Sequence, residues 1–353
     1  MIKARVTDLF PATLNGHSSA VAVNDKGVVI GRDDFGTGLV WMPSTPNGIV
    51  GSDVPLPALI EPRRRIVGEV TPTAINTGGT IVGFCSTSDP SGAPVTRAFF
   101  FIPSDTTLTD LGTLDVDAVG LPWQSSKAFG IDDIDTIVGW AHDSSGIEWA
   151  FVGSPGASTV QSFFHGHYPS QALGIRNGMI VGDATIADAA GVVRRQAFRS
   201  LGNGTLEFLG TLLPSPLSPT QFFGDSRANG VSNQGTIVGI SDALPPIVRM
   251  GLIFGVPSIV PPLPFGPLPS EALAVATVST KDVVVGHYWP SPPAQDTAGF
   301  MFDNTNGLVD LNTRLLDTDW HVDSATGINK EGQICGIGTH SSLGGPRAIL
   351  LTF

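Results

Sequence analysis

The chain has 353 residues, of which only 14% are charged, while 43 Gly and 28 Pro make up one residue in five. Helix breakers at that density exclude a long helical bundle, and 41% hydrophobic residues in regular recurrence exclude disorder. The balance of 19 Lys+Arg against 31 Asp+Glu, a net charge of −12, repels phosphate and argues against nucleic-acid binding through a basic face.

Residues 1–10 lack the apolar core of a secretion signal, which predicts a cytoplasmic protein unless a leader has been trimmed. Within them Val6-Thr7-Asp8-Leu9-Phe10 reads as a strand with no repeat of its own. From residue 18 onward one unit recurs, near 18–60, 70–115, 126–165, 170–213, 226–265, 270–312 and 323–353. Each unit opens on a segment of the type S-x-A-x-[AG]-[IV], as in Ser18 to Val23, Ser126 to Ile131, Ser170 to Ile175, Ser226 to Val231 and Ser324 to Ile328. A turn rich in Asn, Asp and Gly follows (Asn24-Asp25-Lys26-Gly27, Asn329-Lys330-Glu331-Gly332), one residue shorter in the fourth unit. An apolar pair and a glycine then end at Gly31, Gly83, Gly139, Gly182, Gly239, Gly286 and Gly336. This predicts a hairpin. A third strand carries aromatics (Phe99 to Phe101, Trp149 to Phe151, Ala197-Phe198, Phe300 to Phe302), and a fourth is best seen at Leu108 to Gly112, Leu206 to Gly210 and Leu308 to Leu311.

Residues 251–270 are free of charge but hold six prolines, so a buried strand and a Pro-rich loop are expected there and a membrane-spanning helix is not. The two cysteines imply no disulfide framework; Cys335 reads as a small core residue and Cys85 as a thiol on the rim beyond a second strand.

Seven units of four strands describe a single all-β domain over 1–353, a seven-bladed β-propeller. Ala and Gly in the first strand suit the crowded axis, and Phe suits the outer strands, where blades diverge. The last unit lacks a fourth strand, so residues 6–10 should complete it and close the ring. The pattern A-x-G-I-N-x-x-G-x-I-V-G … A-F … D-L-G-T-L, best matched from Thr73-Ala74-Ile75-Asn76 through Asp110-Leu111-Gly112-Thr113-Leu114, resembles the HAF-repeat proteins of bacteria, propeller-like and often extracellular. That resemblance implies a fold and little chemistry. The His that the family places before Ala-Phe is replaced here by Arg97, Trp149, Gln196 and Arg347.

In such a ring the loops entering first strands and leaving second strands share one face, around the channel mouth. All seven histidines and both tyrosines fall in these segments. His17, His165, His167, Tyr168, Trp123, Trp320 and His321 precede first strands; Trp140, His142, His287, Tyr288, Trp289 and His340 follow second strands. Rings with mixed donors and acceptors around a concavity predict a small-molecule or carbohydrate site. Adjacency pairs Trp140 and His142 with His165, His167 and Tyr168. It pairs His287 to Trp289 with Trp320, His321 and Asp323, and His340 with His17. Asp33 is set against Arg64 and Arg65, Asp183 against Asp225 and Arg227, and Asp242 against Glu271. Acid/base candidates are His142 with Asp183, and His287 or His321 with Asp323. No cofactor is expected; a divalent metal on His165 and His167 is the weaker alternative. No Gly-x-Ser-x-Gly elbow, phosphate loop or dinucleotide fingerprint is present. The expectation is a cofactor-independent isomerase, cyclase, lyase or hydrolase acting on a small organic or sugar-like substrate. A lectin-like or small-molecule-binding propeller is the alternative, and a protein-interaction scaffold the second.

Overall fold

The computed structural model describes residues 2–11, 16–57, 59, 68–88, 92–114, 125–156, 160–162, 168–187, 191–201, 205–214, 222–243, 248–254, 268–290 and 296–353. The chain folds as a seven-bladed β-propeller of antiparallel four-stranded sheets; the fifth blade shows three strands among the described residues. The first, innermost strands are Ser18–Val23, Val70–Ile75, Ser126–Ile131, Ser170–Arg176, Ser226–Val231, Ser270–Val278 and Trp320–Ile328. The second strands are Val29–Asp33, Ile81–Ser88, Ile137–His142, Met179–Ala187, Ile237–Ala243, Lys281–Tyr288 and Ile334–His340. The third are Gly38–Pro43, Pro94–Phe101, Glu148–Gly153, Val193–Leu201, Val248–Phe254, Ala298–Asp303 and Arg347–Thr352. Strand Arg5–Asp8 pairs with Arg347–Thr352, Arg5 opposite Thr352 and Asp8 opposite Ile349, so the N-terminus supplies the outer strand of the last blade.

One stereochemical constraint explains the repeated glycine. In every blade the first strand bulges just after its second residue or close to it, and pushes a carbonyl toward the second strand. A Cβ on the triplet glycine would lie about 2 Å from that oxygen in all seven blades, from Ser19 O at Gly31 to Ser324 O at Gly336. The third-strand residue opposite the glycine is Phe99, Phe151, Phe198 or Phe300 in four blades, each fully buried. At Gly83, Gly139 and Gly286 the ring itself comes within 3 Å of where a Cβ would sit. Inner strands touch almost backbone to backbone. A Cβ on Gly130 would meet Gly174 Cα at 3.3 Å, and one on Gly174 would meet Gly230 Cα at 3.3 Å. This is the physical content of the small residues along the axis.

Polar side chains tie each blade to the next. The serine opening a blade accepts a hydrogen bond from a third-strand N–H of the preceding blade. Ser126 Oγ takes Ala98 N at 3.0 Å, Ser170 takes Ala150 N at 3.2 Å, Ser226 takes Ala197 N at 2.9 Å and Ser270 takes Gly251 N at 3.0 Å. Across the ring closure, Ser18 takes Ala348 N at 3.0 Å. At the opposite end of the hairpins, Asn24 donates to Asn76 O, Asn76 to Asp132 O, and Asn329 back to Asn24 O, at 3.0–3.1 Å. The junction of blades 7 and 1 is therefore built like the internal junctions. Each such bond is worth about 1 kcal/mol net.

At the third-strand position before the recurring Ala, two blades place buried arginines that act structurally. Arg97 Nε meets Asp110 Oδ2 at 2.9 Å, and Arg347 Nη1 meets Asp8 Oδ2 at 3.2 Å. Asp110 and Asp310 each accept the N–H two residues on through Oδ1. Phe10 N donates to the Asp8 carboxyl, whose Oδ1 stays buried without a partner. The Asp-Leu pair of the fourth strand thus forms a related latch in blades 2, 6 and 7, the last from the chain's other end.

Three sequence expectations change. The second strands do not end at the glycine; they run two to five residues further, so Asp33, Cys85, His142, Asp183, Asp242, His287, Tyr288 and His340 are strand residues. Cys85 is consequently buried in the core and not on the rim, its Sγ 3.7 Å from Arg97 O. Cys335 is a core residue, and burial pushes its thiol up to about 12. In the last blade Ser324 is not the opening serine. Its carbonyl faces Gly336 as Ser19 faces Gly31, which puts Asp323 at the opening position. The short fourth turn is a two-residue turn on Asn177 and Gly178, both at positive φ (49° and 77°).

Candidate functional site

The first-strand residue whose carbonyl faces the triplet glycine, and its partner on the second strand, form a ring of equivalent positions at the end of the blades opposite the hairpin turns. Around it run Ser19 opposite Arg32, Thr71 opposite Phe84, Lys127 opposite Trp140 and Gln171 opposite Asp183. Arg227 opposite Ile240, Glu271 opposite His287 and Ser324 opposite Ile337 complete it. Blade geometry fixes the position, but no residue type is imposed there, so the ring differs in every blade. Sequence reasoning found Trp140, Asp183, Arg227, Glu271 and His287. It missed the rest, among them Lys127 and Gln171, whose signal was the "x" of the S-x-A segment, and Ser324, which the pattern took for the opening serine.

Contacts link this ring from blade to blade. Lys127 Nζ lies 4.4 Å above the Phe84 ring of blade 2 and 5.6 Å from that of Trp140. Trp140 stacks obliquely on His142, centroids 4.9 Å apart, and His142 Nε2 lies 4.0 Å from Glu148 Oε1. Glu148 Oε2 accepts from Gln171 Nε2 at 2.7 Å and pairs with Arg195 Nη2 at 3.5 Å. Arg195 Nη1 reaches Asp183 Oδ1 at 3.0 Å. His142 and Asp183 are thus joined through Glu148 and Arg195 rather than directly.

Asp183 is the most perturbed carboxyl of the ring. It is 1% exposed, and its Oδ2 is buried with no hydrogen-bond partner. Desolvation by burial raises its pKa from 3.8 to about 6, against the opposing pull of Arg195 and Arg227, while Glu148 adds to the rise. It lines a small cavity of about 80 Å³ between blades 4 and 5, with Arg195, Asp225, Arg227, Asp242 and Arg249. Asp225 Oδ1 accepts from Arg195 N at 3.0 Å, and Asp242 Oδ2 accepts from Asp225 N at 2.9 Å. Asp242 stands 3.9 Å from Arg249 Nε; this, and not Glu271, is the partner the structure gives it.

On the other side of the mouth, His287 Nδ1 is 3.1 Å from Ser324 Oγ, and its ring meets Trp289 edge-on at 4.8 Å. Burial lowers the His287 pKa below 6.5, with Glu271 opposing. His321 Nδ1 bonds Asp323 Oδ1 at 2.9 Å, and that bond raises its pKa. Tyr288 donates to Asp310 Oδ2 at 3.1 Å; burial, then Asp310, pushes its phenol up to about 12. Strand alternation separates Tyr288 from His287 and Trp289.

Several expected neighbours lie elsewhere. His340 packs edge-on against Trp320 and approaches Asp317, while His17 bonds Asp34 Oδ2 at 2.5 Å, so the structure seats them against different partners. Tyr168 packs against Phe208 of an outermost strand, away from the axis. Asp33 Oδ1 accepts the N–H groups of Phe35 and Thr37 and is a turn former. Arg64, Arg65, Trp123, His165 and His167, and with them the suggested His-x-His metal site, lie outside the described residues. Among the described residues, Asp317, Asp319 and His340 bring three ligand atoms within 4.8 Å of one another, but both acids are ordinary exposed side chains. No helix among the described residues is long and apolar enough to cross a membrane.

No protein-family model matches the sequence, and a search of curated proteins finds no match. Solved structures do match in fold. The β-propeller domain of the Trilobed protease from Pyrococcus furiosus aligns over 95% of this chain and 94% of its own, with a TM-score of 0.55 and 7% identity. The Trypanosoma rangeli sialidase in complex with the inhibitor DANA aligns over 82% of this chain and 55% of its own (TM-score 0.44, 15% identity). A putative TolB from Agrobacterium tumefaciens aligns over 100% and 99% (TM-score 0.40, 11% identity). At such identities the likeness concerns the fold alone.

Proposed function

We propose that the channel mouth is the active site of a cofactor-independent acid/base enzyme acting on a small substrate with an anionic or polyhydroxy group. The observation that carries this reading is Asp183: a carboxyl with an unsatisfied, buried Oδ2 in a cavity wall and a pKa near 6, flanked by cations. Such a carboxyl holds a proton at mildly acidic pH and can give it up near neutrality. His287 is displaced the opposite way and stays neutral at pH 7, a proton acceptor two blades away. Burial draws the two groups toward each other in pKa from opposite sides, the carboxyl up and the imidazole down, so that a proton can be held by one and accepted by the other near the same pH. The cavity beside Asp183, about 80 Å³, holds a single functional group such as a carboxylate. Arg195 and Arg227 suit it by charge, and the rest of the substrate would lie over Trp140 and the channel.

Thermal-shift screening with hydroxy acids, uronic acids and neutral sugars tests the reading. A carboxylate-bearing hit should protect the wild type and lose its effect in Arg227→Ala. Equal protection of both proteins would remove the site from Asp183. Protection of the wild type with no turnover of any hit would favour the binding-module alternative.

A further inference from the structure

A roomy cavity lies away from the channel mouth. It measures about 680 Å³ and opens at the other end of the blades, between blades 6 and 7, where the hairpin turns at Gly332 and Asn306 lie. Its walls are mainly apolar: Val278, Val283, Met301 and Val309 from blade 6, Ile328 and Ile334 from blade 7. A volume in the range of ordinary ligand sites, about 300–1,000 Å³, lined this way ordinarily takes an apolar ligand body.

Accounting for the polar groups around it narrows the ligand. Gln333 donates to Asn47 O and accepts from Asn329 Nδ2. Asn47 donates to Asp25 O through Nδ2 and accepts from Asn329 through Oδ1. Asp303 is spent on Thr305 N, Asn306 N and Asn306 Nδ2, and these hydrogen bonds help hold its pKa low. All four serve the hairpin turns. Arg314 does not: its Nε is buried and has no hydrogen-bond partner. Its backbone is fixed, because Ala4 N donates to Arg314 O at 2.7 Å, so the guanidinium is carried on an anchored segment. A buried, unsatisfied guanidinium N–H costs about 1–3 kcal/mol or more, and an anionic oxygen is the partner that relieves it best.

We infer that this cavity is a second binding site, for an amphiphile with an apolar body of about a dozen carbons and one carboxylate or sulfonate that pairs with Arg314. At about 30 Å³ per water-sized volume, the cavity has room for roughly twenty non-hydrogen atoms. Glu331, exposed on the turn at its edge, opposes the anion and keeps binding reversible. The site is formed by blades 6 and 7 at the end away from Asp183 and does not depend on the acid/base reading.

Titration calorimetry with dodecanoate and dodecan-1-ol, and fluorescence with 1-anilinonaphthalene-8-sulfonate, tests the inference on the whole chain. Dodecanoate should bind one per chain and at least about tenfold more tightly than the alcohol, the scale of one charge-assisted hydrogen bond. Arg314→Met should abolish that preference while leaving alcohol binding in place. Val283→Phe, which fills the cavity, should weaken both ligands and the dye, with the thermal transition checked to confirm folding; Met301→Phe repeats the test should that variant unfold. Glu331→Gln should tighten dodecanoate severalfold. No dodecanoate binding at millimolar concentration, or binding indifferent to both Arg314→Met and a folded cavity-filling variant, would overturn the proposal.

Discussion

Asp183→Asn removes the titrating proton while keeping the shape of the side chain. In the native protein burial raises the Asp183 pKa from 3.8 to about 6. The folded state therefore binds more protons than the unfolded state between those pH values, and stability falls as pH rises through them. The favourable contribution is complete below about pH 4 and lost above about pH 6. At about 1.4 kcal/mol per pH unit, the span is about 3 kcal/mol. Since the side chain is 1% exposed, solvent screening takes little from that figure. Urea unfolding of wild type and Asp183→Asn across pH 4 to 7.5 reads it directly. The stability difference between the two proteins should shift by about 3 kcal/mol in favour of the variant on going from pH 4 to pH 7. Any catalysed reaction should show an apparent pKa near 6 that disappears in the variant. Parallel stability profiles would mean that Asp183 titrates normally, and the assignment of the acid would fail with it.

Other consequences follow from the same geometry. Gly182→Ala puts a Cβ 1.9 Å from Gln171 O, a backbone atom that cannot move aside, and should cost about 3 kcal/mol or more by thermal or urea unfolding; Gly344→Ala, at a glycine with open space around it and no positive φ, should cost far less. Asp8→Ala leaves the largely buried Arg347 guanidinium unpaired at the ring closure, and should lower stability by about 3 kcal/mol and promote association through the loosened edge, seen by light scattering. His287 has its pKa lowered, so its contribution is present above pH 6.5 and is lost as pH falls; His287→Gln should lessen the acid sensitivity of the fold in unfolding curves taken between pH 5 and 7.

The architecture was legible in the residues because its constraints are local and repeat. The triplet glycine is forced by a carbonyl about 2 Å from its missing Cβ, the small first-strand residues by backbones in contact, and the Asp-Leu pair by a latch shared by blades 2 and 6 and varied in blade 7. Each demand acts on a few consecutive positions and recurs about every 50 residues, so it leaves a periodic trace. The N-terminal strand could be assigned to the last blade for the same reason: Asp8-Leu9 carries the trace of a fourth strand.

The site was legible only in part. Residues at the mouth are free to differ, so nothing repeats, and which of them meet depends on how far each second strand runs past its glycine. Asp183 and Arg227 could be paired from chain order, whereas Glu148 and Arg195, from third strands, entered only when the blades were set side by side. The cavity between blades 6 and 7 had no trace in the sequence at all. Its walls come from six or more separate strands and turns, each residue placed there by ordinary strand alternation, and only the angle between two neighbouring sheets turns them into an enclosure. Strand count, ring closure and the crowded axis were thus written in the amino-acid order, because short-range sterics imposes them. Protonation, ion pairing and empty space were decided by the tertiary structure, because they depend on burial and on neighbours far apart along the chain.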